Sequence, residues 1–285
     1  MSVKKWGWKK IQTVLVASVF PLILFGFVLW PFITLGFESF NTEEGVFTFE
    51  KYIEVFTTKQ YLDSFFNTFL LSLLSTLLAL LICIPAGIYI ESKQGKDRKF
   101  LAVVLTIPLS LPGIVIGFFV IITFGFTGVI PKLIELICGE RHLTFAYTFW
   151  GMLLGYVYFQ IPRIVLSIRG AVVNISQDVL DAAKILGAST FQTYMHIILP
   201  TLRPAIVMAA SLSMATGFGA FGTAATLSRG YRVIPLEIAT SFTENFEPKL
   251  AGALSIILVL ITILILMFIN SFANLGGKQV KEAKK

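Results

Sequence analysis

Residues Leu62–Ile90 read LDSFFNTFLLSLLSTLLALLICIPAGIYI, and after Asp63 the stretch carries no charged side chain. A helix that crosses a bilayer needs about 20 mostly apolar residues, so this run is long enough to span by itself. Working outward, comparable runs lie at Ile11–Phe37, Leu101–Phe126, Thr144–Ile168, Pro204–Leu227 and Leu250–Phe272. The expected fold class is therefore an all-α membrane protein with six transmembrane helices. Composition agrees, because 56% of the 285 residues are hydrophobic and 14% charged, against roughly a quarter charged in a soluble domain.

Basic residues set the orientation. Lys4, Lys5, Lys9 and Lys10 precede the first run, which is longer than the apolar core of about 7–15 residues in a cleaved signal; it reads as an uncleaved anchor. With the N-terminus in the cytoplasm, sixteen of the 23 Lys and Arg fall on that side and seven outside. Glu38, Glu43, Glu44, Glu50 and Glu54 fall in the first outer loop. Both termini are then inside, which an even number of spans requires.

What is missing narrows the function. Two cysteines, Cys83 and Cys138, and two histidines, His142 and His196, are too few for a disulfide framework or a metal site. The net charge of +7 is explained by orientation, so no nucleic-acid partner is expected. Gly95-Lys96 continues with Asp97, so no phosphate-binding loop is present. No Ser/His/Asp arrangement suggests a hydrolase, and the chain is not expected to be an enzyme. No ionisable residue lies near the middle of a proposed span; Arg163 comes closest and is expected to snorkel to the cytoplasmic side. Coupled carriers commonly need such groups at membrane depth, which weighs against an ion-coupled secondary carrier.

Glycine and proline mark the third to fifth spans. Pro108 and Pro112 each remove a backbone donor and favour a bend. Gly113/Gly117 and Gly151/Gly155 have a spacing that lets helices approach closely. Gly217, Gly219 and Gly222 with several hydroxyls make Ser211–Ile238 a poor lipid-facing surface, suited to a pathway or to close packing.

The inner loop 174–200 reads NISQDVLDAAKILGASTFQTYMHIILP. Ser176 suits an N-cap, with Asp178 in the first turn. Val179, Ala182, Ala183 and Leu186 form a small apolar face, and Gly187 suits a left-handed C-terminal cap. Ser189 and Gln192 have capping-box spacing for a second short helix, which Leu199-Pro200 is expected to close. The result is a helix–turn–helix at the cytoplasmic surface; an amphipathic helix resting on lipid is the bland alternative.

This loop resembles the signature of ABC-importer permeases: E-A-A, three residues, Gly, nine residues, I-x-L-P. Here it is Asp181-Ala182-Ala183, Gly187, then Ile197, Leu199 and Pro200, with Asp181 one methylene shorter than Glu. The resemblance extends over about Leu62–Phe272. It implies a type I ABC-importer permease fold, with 1–61 as cytoplasmic tail, first span and outer loop, 62–272 as the core permease domain, and 273–285 as a basic cytoplasmic tail. It implies that the loop couples to a separate ATPase, which alone binds ATP and Mg, so this chain holds no cofactor. It also implies a second permease subunit, identical or homologous, and an extracellular or periplasmic substrate-binding protein docking on Glu38–Tyr61 and Ser228–Lys249. The location implied is a bacterial plasma membrane, multi-pass.

Phe221-Gly222-Thr223 and Arg232-x-x-Pro235-Leu236-Glu237 resemble the ferric-iron, polyamine, phosphonate, sulfate and molybdate branch. Ser213, Thr216, Phe218, Phe221 and Thr223 are the candidate pathway residues. The expected function is permeation of a polyamine, a phosphonate such as aminoethylphosphonate, ferric iron or an oxyanion. A non-transporting membrane scaffold is the other alternative.

Overall fold

The computed structural model describes residues 17–19, 21–42, 45–92, 95–140 and 142–282. The expected start of the first span, its four lysines, and Lys284 and Lys285 lie outside them. Six helical segments are long and apolar enough to cross a membrane: Ala17–Ser39, Lys59–Ser92, Gly113–Cys138, Phe149–Val172, Thr190–Phe218 and Pro248–Ser271. Among the described residues the only β-type pairing is an isolated bridge, Asn41 to Phe47.

The helices are α1 (Ala17–Ser39), α2 (Glu50–Thr57), α3 (Lys59–Ser92), α4 (Gly95–Thr106), α5 (Gly113–Phe124) and α6 (Val129–Cys138). Then come α7 (Phe149–Val172), α8 (Gln177–Ile185), α9 (Thr190–Phe218), α10 (Phe221–Leu227), α11 (Ile234–Thr243) and α12 (Pro248–Glu282). They form two compact units, one of residues 1–59 with 238–257 and one of 60–237 with 258–285.

In the first unit, α1 packs on the start of α12. A Cβ on Gly252 would stand 3.2 Å from Ser39 Cβ and 3.4 Å from Leu35, so glycine permits that contact. Ser39 shares a 2.7 Å hydrogen bond with Tyr52. Lys51 on α2 pairs with Glu54 at 2.9 Å. Burial alone would lower the Lys51 pKa, but Glu54, Glu247 and Glu50 hold it above the usual lysine value.

The second unit has two apolar clusters. Towards the cytoplasm, Ala79, Leu80, Cys83 and Ile90 of α3 meet Ile164, Val165 and Ile168 of α7 and Leu202 and Ala209 of α9. Towards the outside, Leu71, Val120, Met152, Leu153 and Tyr156 meet Ala220, Ala224 and Leu227. Between these levels lies a buried polar layer of Ser72, Ser75, Thr76, Gln160 and Ser213. Gln160 donates to Ser75 Oγ at 3.0 Å.

The third and fifth spans differ most from the sequence expectation. The expected third span, Leu101–Phe126, is interrupted: α4 ends at Thr106, a 3₁₀ turn covers Ile107–Ser110, and Pro112 caps α5. Pro108 and Pro112 have no N–H to continue the α ladder, so the crossing segment moves to Gly113–Cys138. The fifth was expected at Pro204–Leu227 but runs Thr190–Phe218. Leu199-Pro200 does not close the second loop helix. A π turn at Tyr194–Ile198 widens the helix just before Pro200, which relieves the clash between the proline ring and the carbonyl four residues earlier. At the outer end Gly219 stops α9, and the chain restarts as α10.

Candidate functional site

The 174–200 loop folds from local instructions. Ser176 is the N-cap residue by backbone geometry, without a side-chain cap bond, and Asp178 lies in the first turn of α8. At the other end Gly187 adopts φ +78°. Its N–H bonds the Lys184 carbonyl and the Ala188 N–H bonds that of Ala183, both at 3.0 Å; this pair satisfies the last carbonyls of the helix. Ser189 and Gln192 then form both bonds of a capping box, at 2.8 and 3.2 Å.

The feet of the loop are anchored in the cytoplasmic apolar cluster, where Ile175 packs on entry and Ile198 on exit. Between them, Ala183 is buried while Asp181 and Ala182 are exposed. Ile197 and Leu199 are half-buried and Pro200 is exposed. Asp181 holds an exposed ion pair with Lys184 at 3.0 Å, the kind worth about 0–1 kcal/mol. Of the expected apolar face, Val179, Ala182 and Leu186 are exposed, Val179 to 49% and Leu186 to 86%; Ile185 is 86% exposed and Phe191 67% exposed.

One buried carboxylate steadies the base of this loop and was not singled out from sequence. Glu91, at the cytoplasmic end of α3, has a side chain only 5% exposed and contacts both Arg98 of α4 and Arg169 of α7. The Arg169 Nε donates at 2.6 Å. Removing one partner of a buried pair costs about 3–5 kcal/mol. Arg98 is partly hydrated, so Glu91→Ala is expected to cost about 2–3 kcal/mol. Thermal unfolding in detergent reads this directly, and an unchanged midpoint would rule the clamp out.

At the outer end, Arg232 and Glu237 of the Arg-x-x-Pro-Leu-Glu run meet the start of α3. Glu237, buried, accepts from Gln60 Nε2 at 2.9 Å and Ser64 Oγ at 3.1 Å, with Arg232 Nη1 at 3.5 Å. Thr68 Oγ1 accepts from the Ile234 N–H at 2.9 Å. The motif was legible in sequence; its partners, 173 and 177 positions away, carried no local signal.

The candidate pathway residues separate. Ser213, Phe218 and Thr223 are buried inside the chain. Thr223 Oγ1 donates to the Gly113 carbonyl at 3.1 Å. Thr216 is half-buried and Phe221 is exposed beside the Gly219–Ala220 break. The glycine pairs do mediate contact: Gly113 and Gly117 of α5 approach Thr223 and Thr226 of α10, and Gly155 of α7 approaches Thr223 and Leu227. Gly151 instead closes on the Ala146 carbonyl in the preceding turn. Tyr156 Oη donates to the Ala220 carbonyl at 3.2 Å, bracing the break itself.

Arg163 departs from expectation. α7 continues four residues past the expected Ile168 to Val172, so Arg163 lies deeper than the sequence suggested. Its Nη1 donates to the Phe159 carbonyl at 2.7 Å and its Cζ lies 4.1 Å from the Phe159 ring centroid. That is one turn towards the outer side, so the side chain does not snorkel to the cytoplasm.

Comparison with known proteins places this geometry. Residues 83–281 match the family described as binding-protein-dependent transport system inner membrane component. The chain is 26% identical to the spermidine/putrescine transport system permease protein PotB of Haemophilus influenzae, over 94% of this chain and 96% of that one. It is 27% identical to the molybdenum transport system permease protein ModB of Mycobacterium bovis, over 71% and 76%. Its fold is similar to a bacterial ABC transporter involved in the import of the acidic polysaccharide alginate, with TM-score 0.81, 20% identity, and 95% and 98% of the two chains covered. The chain belongs to the binding-protein-dependent transport system inner membrane component family and is the multi-pass permease component of an ABC importer, in which ATP hydrolysis falls to a separate subunit.

Proposed function

We infer that this chain forms one half of the translocation pathway for a small solute in a bacterial plasma membrane and takes its driving force from a cytoplasmic ATPase docked on residues 174–200. The observation that carries the reading is the loop's division of labour. Ile175, Ala183 and Ile198 anchor it, whereas Ile185, Leu186 and Phe191 stand largely uncovered and Val179 is half exposed. Burying such a side chain is worth about 1.5–3 kcal/mol, so several exposed apolar side chains on a braced loop suit a protein partner. The Glu91 clamp would transmit movement of that loop into α3, α4 and α7.

A second permease, identical or homologous, supplies the other half of the path, and ATP with its Mg is held by the ATPase. A substrate-binding protein docks on the outer segments 38–61 and 228–249. An outer cavity of about 580 Å³ lined by Asn41, Thr48, Lys51 and Lys249 lies in these segments and suits a polar contact. The solute is a polyamine or an oxyanion, the classes for which related permeases are named, or a phosphonate or ferric species, as the branch resemblance implies.

Mild-detergent purification of the tagged chain from its native membrane tests the reading. An ATPase and a second permease, or a second copy of this chain, are expected to co-purify, with ATP hydrolysis stimulated by the binding protein. Recovery of the intact chain alone under several gentle conditions would sink it.

A further inference from the structure

α7 has 24 residues, about 36 Å of helix at 1.5 Å per residue. Arg163 is nine residues from its cytoplasmic end and its guanidinium bonds the Phe159 carbonyl, about 19 Å from that end. In a hydrocarbon core about 30 Å thick, this is close to the midplane. A guanidinium has five N–H donors, and the Phe159 carbonyl occupies one of them. Among the described residues no carboxylate pairs with Arg163, whereas Arg98 and Arg169 share Glu91 and Arg232 reaches Glu237.

The surroundings are graded along one helical face. Met152, Tyr156, Phe159, Arg163, Leu166 and Gly170 follow one another at steps of four and three, so they share a side of α7. Met152 and Tyr156 are buried, Phe159 and Arg163 are half-buried, and Leu166 and Gly170 are exposed. The face therefore leaves the protein core on its way to the cytoplasm, and Arg163 stands where it emerges. Directly above, Tyr156 and the Ala220 carbonyl seal the core. An arginine at the centre of a helix is costly to face to lipid, and such residues almost always face a cavity or the bundle interior.

We propose that Arg163 is a solute-contacting residue of the translocation pathway and that the solute is an oxyanion or carries a phosphonate group. This rests on the permease reading above. The planar fork of donors matches two oxygens of such a group, and the stacked Phe159 ring holds it in orientation. A polyamine would meet a like charge in low dielectric, so of the solute classes named above this position favours the anions.

The test uses the complete importer with its own ATPase, permease partner and binding protein in proteoliposomes. The probes are radiolabelled sulfate, molybdate, 2-aminoethylphosphonate and spermidine. ATP-dependent uptake of one of the first three is expected, and none of spermidine. Arg163→Gln is expected to lower that uptake at least tenfold with all subunits still assembled, and Arg163→Lys, which keeps the charge without the fork, to retain more than the Gln variant. Uptake by R163Q within twofold of the unaltered importer overturns the proposal, as does spermidine uptake or uptake of none of the three anions. Loss of the partner permease from R163Q overturns it in favour of a carboxylate on that subunit. Absence of any co-purifying ATPase from the unaltered protein is a separate failure, which removes the permease reading itself.

Discussion

Gly187→Val is expected to cut ATP-driven uptake at least tenfold while leaving the permease folded in the membrane. The cause is conformational. A Cβ at Gly187 would meet nothing within 4 Å, so no clash is involved, but the residue holds φ +78°. A left-handed conformation costs an ordinary L-residue about 1–2 kcal/mol, and a β-branched one more. Valine would relax the turn and give up the paired bonds from residues 187 and 188 to the end of α8. The Ser189-capped start of α9 would then leave α8 at a different angle, and Val179 and Leu186 would no longer present the surface proposed for the ATPase. Gly187→Asn is the control, since asparagine tolerates this region; its loss of uptake is expected to stay below threefold. Reconstituted uptake and co-purification of the ATPase decide the matter. Normal uptake by G187V would remove the loop from the coupling mechanism.

Gly117→Val is expected to have the largest effect on stability, about 3 kcal/mol or more, because it overpacks a closed helix contact. A Cβ at Gly117 would lie 1.7 Å from Thr226 Oγ1 and 2.7 Å from Thr226 Cβ. The hydroxyl can rotate away, but Cβ moves only with the backbone of α10. That short helix follows the Gly219–Ala220 break, so displacing it would also disturb the Tyr156 brace. Gly117→Ala is expected to be destabilised as well and to be rescued by Thr226→Gly, which removes the opposing Cβ. Gly170→Ala is the matched control, since nothing lies within 4 Å of its added carbon. Thermal midpoints in detergent measure all four variants. A single G117A that melts like the unaltered protein would show that the α5–α10 contact is loose.

The number of spans, their approximate places and the helix–turn–helix geometry of the 174–200 loop were legible in the sequence because each is written locally. Twenty apolar residues in a row, a glycine where the backbone must turn left-handed, and a serine three residues before a glutamine act within one or two turns of chain. Ends were less legible. Averaged hydropathy does not register that Pro108 and Pro112 lack a donor, or that a π turn lets α9 run through Pro200. Helical periodicity, which tells core from surface in a soluble protein, is flattened here because lipid and core both favour apolar side chains. Only the tertiary structure could therefore decide that Phe218 and Thr223 are inside the chain and that Arg163 emerges from it. Glu91 with Arg169, Glu237 with Ser64, and Gly117 against Thr226 depend on helices brought together from distant parts of the chain. Hydrogen bonds, ion pairs and close contacts act over a few ångströms of space, and no local pattern in the sequence encodes which distant residues will share that space.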